Sequence, residues 1–364
     1  TSGTSTSPSR SMGRGVYMVD AATGSVLWRV VSSTATSETV TGMTTVTNSS
    51  MKYAIPGDLA VLKNRSNTAG RGNDTRESVQ SGYIDRVYAA DTGGNVWRID
   101  VADSSVSNWV VNKFASVAGA TQSNDAPPAA DSPPTKHMRK FMFNPDVVYS
   151  SDGNGDYDSV LLGSGDREHP FDQTVVNRFY AFKDYNTGTI TPAMMSPPST
   201  PPSTITESNL TDLTDDCLQS TSLCTGSNTQ TSVASSLLTN KGWYVTLSNS
   251  GEKVIAPATT SAGTVIFNTN QPKQDTVTGS GSTPNVGPNA GNYCTSDLGT
   301  ARQYGLDYQD ATSNNIYDNL ASQYRSSSGR YATFAGGGFL PAPVPVVVQI
   351  DGKYYQTVIS GVQA

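Results

Sequence analysis

Long hydrophobic runs are missing from this chain of 364 residues. No stretch approaches the roughly 18 apolar residues that a membrane-spanning helix requires. The longest candidate, residues 339–350, is interrupted by Pro341, Pro343 and Pro345. Charge is also scarce. Charged residues make up 15% of the chain and the net charge is −6, which argues against a nucleic-acid partner. The two histidines, His137 and His169, lie far apart without metal-ligand spacing, so no zinc site is indicated. Neither a Gly-x-Ser-x-Gly elbow nor a phosphate loop occurs, and no pair of groups makes a persuasive general acid and base. No leader is visible at Thr1, so the chain reads as a processed or excised fragment. What the chain has instead is 33 glycines, 20 prolines and abundant Ser, Thr and Asn, the profile of a loop-rich all-β extracytoplasmic protein.

Residues 82–100, GYIDRVYAADTGGNVWRID, read as a strand, a turn and a strand. Residues 87–90 are apolar, Asp91-Thr92-Gly93-Gly94 supplies the turn, and Trp97 and Ile99 fall on one face of the returning strand. Residues 16–30, VYMVDAATGSVLWRV, repeat the pattern, with Asp20, Thr23-Gly24 and Trp28. Residues 179–190, FYAFKDYNTGTI, are a weaker copy, and residues 304–311 are a fourth fragment. A repeated hairpin ending in tryptophan is a signature of propeller blades, whose faces are buried only by stacking against neighbours. Packing between blades is therefore the plain role for Trp28 and Trp97.

Residues 1–11 read as a disordered Ser/Thr tail, and residues 12–364 as one β-propeller domain with long rim insertions. The insertions fall at residues 63–81, 123–134, 196–236 and 271–292, with a helix expected over residues 206–218. Buried strands are expected within residues 139–149 and 159–163, blade-like strands within residues 242–247 and 253–267 with a hairpin turn at residues 248–251, and a closing hairpin at Asp351-Gly352.

Four stretches carry a family resemblance: residues 85–100 (DRVYAADTGGNVWRID), 162–170 (LGSGDREHP), 241–267, and 293–307 with the later Gly336-Gly337-Gly338. In this order they resemble the C-terminal propeller domain of PilY/PilC-type proteins, which assemble type IV pili and act as pilus-tip adhesins. The resemblance implies a modified all-β propeller of about seven blades. It also implies a non-enzymatic protein of the bacterial surface, pilus tip, periplasm or outer membrane. Pilins or minor pilins and a host-cell surface receptor would be its partners, twitching motility and virulence its setting, and calcium its regulator. The Asp20-x-x-Thr23-Gly24-x-x-x-Trp28 hairpin also resembles blades of quinoprotein dehydrogenases and of an outer-membrane assembly factor. The quinoprotein reading would demand a tryptophan stacked on a quinone in a central funnel. Integrin binding through Arg-Gly-Asp is not supported, since the nearest sequence is Arg71-Gly72-Asn73-Asp74.

Two loops are candidates for calcium, which takes several oxygen ligands on a tightly curved segment. Residues 151–159, SDGNGDYDS, offer Asp152, Asn154, Asp156 and Asp158 at alternating positions, with Gly153 and Gly155 between them. The usual spacing is not met, and an ion-free β-turn is the plain alternative. The family's own loop precedes Asp85, where its positions fall on Ser81, Val79 and Glu77. Valine has no side-chain oxygen, so that loop is degraded. Asp166-Arg167-Glu168-His169 reads as an ion-paired turn rather than a catalytic group. Cys217 and Cys224 lie close enough in sequence to form a disulfide in an oxidising compartment, which leaves Cys294 odd; pairing of Cys294 with one of the other two is the alternative.

Overall fold

The computed structural model describes residues 13–32, 42–63, 84–118, 138–197, 199–273, 298–318, 320–334 and 337–359. The tail over residues 1–11, the insertion carrying Glu77 and Ser81, His137 and Cys294 lie outside them. The described chain is all-β, with one short α-helix, α1 (Gln230–Thr239). Its strands form five sheets in chain order. The first joins β1 (Gly15–Val19), β2 (Val26–Val31) and β3 (Thr44–Thr47). The second joins β4 (Ala60–Leu62), β5 (Arg86–Ala90), β6 (Asn95–Asp100) and β7 (Val110–Ser116) as an antiparallel meander. The third runs β8 (Asp146–Asp152), β9 (Gly155–Gly163), β10 (Arg178–Asp184) and β13 (Gly242–Thr246). The fourth contains β14 (Lys253–Val254), β15 (Thr259–Ser261), β16 (Thr264–Gln271), β17 (Thr300–Asp307) and β18 (Tyr331–Phe334). The fifth is the hairpin of β19 (Val344–Ile350) and β20 (Lys353–Ile359), which turns at Asp351-Gly352.

Side chains alternate across a strand, and the inner sheets spend both faces on neighbours. Val87 and Ala89 of β5 meet Trp28 and Val30 of the first sheet, and Trp97 and Ile99 of β6 join them. The intervening Tyr88, Ala90 and Val96 face the third sheet, where they meet Val160, Leu162, Tyr180 and Phe182. Leu161, Phe179 and Ala181 turn the other way, onto Val254, Val265, Phe267 and Tyr304. Phe179 stacks on Phe267 at 4.0 Å between ring centroids, and Phe267 on Tyr304 at 4.9 Å. Strands buried on both faces explain the unbroken apolar runs in the sequence.

Asp91 organises the hairpin of the second sheet. Its buried carboxylate accepts from the backbone N–H groups of Gly93 and Asn95, from the Asn95 amide, and from Trp97 Nε1 at 2.8 Å. One side chain thus caps the turn and fixes the tryptophan that enters the core. Gly94 adopts φ +70°, and a Cβ there would lie 2.7 Å from the Arg139 carbonyl oxygen. In the first hairpin, Asp20 serves only its exposed turn, accepting from Ala22, Thr23 and the Thr23 hydroxyl. Its Trp28 is equally buried, but its indole N–H has no hydrogen-bond partner among the described residues.

The insertion over residues 196–236 does not simply lie on a rim. It adds β11 (Ile205–Thr206) parallel to β7 and β12 (Thr211–Asp212) parallel to β13, so one segment joins the second and third sheets. The helix expected over residues 206–218 is absent. Thr206 and Asn209 cap a single 3₁₀ turn, after which the β12 ladder takes the chain, and Asp216 adopts φ +59°. The helix lies later, where only Val233 is buried, so no apolar stripe announces it. Cys217 and Cys224 form a disulfide here. Beside it, buried Asp216 pairs with Arg330 at 2.9 Å, while Arg330 also donates to the carbonyls of Leu213 and Thr214.

Two stability measurements follow. Asp91→Ala strands the Trp97 indole and the turn amides in a buried site, so chemical denaturation should show a loss of about 3 kcal/mol or more. Asp20→Ala should cost far less, because its turn is exposed, and equal losses would refute the role given to Asp91. Burial pushes the Asp216 carboxyl up to about 6 from 3.8, against the pull of Arg330. A raised carboxyl favours the protonated folded form, so this contribution is full below about pH 4 and fades as pH rises through about 6. Asp216→Asn should remove that pH dependence, and an unchanged stability profile would contradict the assignment.

Candidate functional site

The best-formed polar centre lies where the second and third sheets meet. Arg86 and Arg98 stand inside β5 and β6, at positions whose strand neighbours are all buried. Both side chains face the third sheet and are themselves buried. Arg86 pairs with Asp158 of β9 and donates to the Asn186 carbonyl at 2.8 Å. Arg98 is saturated. It holds both oxygens of Asp100 at 2.7–2.9 Å, Asp184 of β10 at 2.6 Å, and the carbonyls of Asn186 and Gly188 at 2.6 and 2.5 Å. The Tyr88 hydroxyl donates to Asp184 at 2.5 Å. Burial opposes the charge of Arg98, but Asp184 and Asp100 more than offset it and raise its pKa. Burial, then Asp184, pushes the Tyr88 phenol far up.

This pairing explains why residues 179–190 make a strand without a return. Asp184-x-x-Thr187-Gly188 repeats the spacing of Asp20-x-x-Thr23-Gly24. Here, however, the carbonyls of the turn are held by the two arginines, and Ile190 N donates to Asp100 at 3.0 Å. Above the pairing lies a cavity of about 220 Å³, lined by Arg98, Asn112 and Phe114 on one side and by Lys183 to Asn186, Ile205 and Lys241 on the other.

The four residues expected to bind calcium are not brought together. Residues 151–159 form no loop. They are the tip of the β8–β9 hairpin, with Asp152 paired to Gly155 and Ser151 to Asp156. In that register Asp152 points to the opposite face from Asp156 and Asp158. Asp152 accepts from Lys183 at 2.8 Å and from Tyr185 at 2.7 Å, and these bonds hold its carboxyl below the ordinary range although burial raises it. Asn154 spends its amide N–H on the Leu238 carbonyl at 2.6 Å, and Asp158 is committed to Arg86. This donor set does not fit a calcium ion.

The degraded loop cannot be placed, since Glu77 and Ser81 lie outside the described residues. Asp85 joins the ladder, its N–H donating to Leu62 and its carbonyl accepting from Val101. Asp166 pairs with Lys140 at 2.5 Å and His169 at 2.8 Å. Lys253 ties the same turn down through the carbonyls of Pro170 and Asp172. Asp166, Glu168 and His169 can bring their ligand atoms within 4.8 Å of one another, but Asp166 is already committed to its two partners.

The arginine pairing and the cavity were missed in the sequence. The available signal was Arg86 at the edge of the apolar run 87–90 and Arg98 between Trp97 and Ile99.

No protein-family description and no curated protein matches the chain. Among solved structures, the crystal structure of the Pseudomonas aeruginosa PilY1 C-terminal domain has a similar fold. The likeness covers 95% of this chain and 65% of that one, just under two thirds, at a TM-score of 0.50 and 14% identity. It is a distant likeness and concerns the fold alone.

Thermal melts with calcium and with chelator test the placement of the hairpin carboxylates. Asp156→Ala should leave any calcium response intact. Asp158→Ala should destabilise by about 3–5 kcal/mol in either condition, because it leaves Arg86 buried without its carboxylate. Loss of a calcium response in Asp156→Ala alone would restore the calcium loop.

Proposed function

We propose that this chain is the propeller portion of a non-enzymatic type IV pilus assembly and tip-adhesion protein. The observation carrying this reading is the fold likeness to the PilY1 C-terminal domain over 95% of the chain. In this reading the five sheets are successive blades of a modified ring of about seven. Their loops meet pilins or minor pilins and a host-cell surface receptor, and the protein supports twitching motility and attachment. The Cys217–Cys224 disulfide fits the oxidising, extracytoplasmic setting this requires. Among the described residues, no helix is long and apolar enough to cross a membrane. Calcium, where it regulates the protein, would need a site other than the β8–β9 hairpin.

In this reading the tryptophans are packing residues. Trp28, Trp97 and Trp243 are buried between sheets, and Trp109 packs on Trp28 at 5.3 Å. These four are all the tryptophans in the chain.

In-frame removal of residues 12–364 in the source bacterium should abolish surface pili and twitching, with rescue by the intact copy. Normal piliation in the confirmed deletion would refute the assembly role. The purified chain should be colourless, and the absorbance of a bound quinone would overturn the non-enzymatic assignment.

A further inference from the structure

Several side chains lining the cavity between the second and third sheets have hydrogen-bonding capacity that no described residue uses, Asn112 and Lys241 among them. Asn112 is 7% exposed and lies opposite Arg98 in the β6–β7 register. Its side-chain amide lines the cavity and makes no hydrogen bond to any described residue. An amide that faces a cavity with its donor and acceptor uncommitted is an open recognition element. At the mouth stands Lys241, exposed, its ammonium 5.5 Å from the Tyr185 ring centroid and without a carboxylate partner among the described residues.

The other charges on the wall are matched, Arg98 by Asp100 and Asp184 and Lys183 by Asp152. The rest of the wall is mixed, with apolar surface from Phe114, Ile190, Pro202 and Ile205 and polar groups from Tyr185, Asn186 and Ser203. The walls are rigid because residues 186–190 are held by Arg86, Arg98 and Asp100. At about 220 Å³ the space is smaller than the roughly 300–1,000 Å³ of drug-sized sites and suits one amino-acid residue.

We propose that this cavity binds a monocarboxylate with a short stem ending in an amide or hydroxyl: the carboxylate on Lys241, the stem against Phe114 and Ile205, the polar tip on Asn112. A free acylated amino acid and the C-terminal residue of a peptide share this chemistry. The site does not depend on the pilus assignment.

Titration calorimetry on the full chain tests it with N-acetylglutamine, its C-terminal carboxamide, and a short peptide ending in glutamine. The acid should bind saturably and the carboxamide about tenfold more weakly, since it loses the charged contact. Lys241→Gln should weaken the acid by a similar factor and leave the carboxamide unchanged. Asn112→Leu should abolish binding while the melting temperature holds, which separates loss of the polar contact from loss of the fold. A peptide that binds more tightly than the free acid identifies a chain terminus as the occupant, and the reverse order identifies a small molecule; either supports the site. No saturable binding by any probe, equal binding of acid and carboxamide, or binding unaffected by Asn112→Leu would overturn it.

Discussion

The arrangement of the second and third sheets depends on how two buried arginines find their counter-charges. A guanidinium taken from water must have its charge met and its N–H groups occupied, or it costs several kcal/mol. Arg98 meets that demand with two carboxylates and two backbone carbonyls, drawn from both sheets and from the loop after β10. Three features follow from this pairing. Asp158 turns inward, the segment after Asp184 is captured as a loop, and the remaining space closes into the cavity beside Asn112. An aliphatic pair of equal volume would bury as much surface but would leave that loop undirected.

Much of the fold was legible in the sequence because strands buried on both faces leave unbroken apolar runs. The hairpin over residues 82–100 showed its turn, its strands and the shared face of Trp97 and Ile99. The insertion was less legible. Leu210, Leu213 and Cys217 suggest helical spacing, yet short parallel ladders prevailed because two sheet edges were available to pair with. Nothing local to residues 205–212 reveals those edges.

The carboxylates of residues 151–159 show why spacing alone is a weak guide to a site. Alternation brings ligands together on a curved loop and separates them on a flat hairpin. The sequence is the same in both cases, and the strand partners β8 and β10 select the hairpin. The cations that meet Asp152 and Asp158 lie 31 and 72 residues away. No local motif could have announced them.

The insertion also has a mechanical meaning. β11 is bonded to the second sheet and β12 to the third, with four residues between them, and Glu207 on the connecting turn engages both Arg139 and Arg178. Drawing these sheets apart loads two ladders and a charged clasp in parallel, so the joint resists as a unit. Among the described residues no strand is shared between the first and second sheets, where burial carries more of the cohesion and can be peeled gradually. Under tension the chain is therefore graded, with a yielding seam at the first sheet and a stiff seam at its centre.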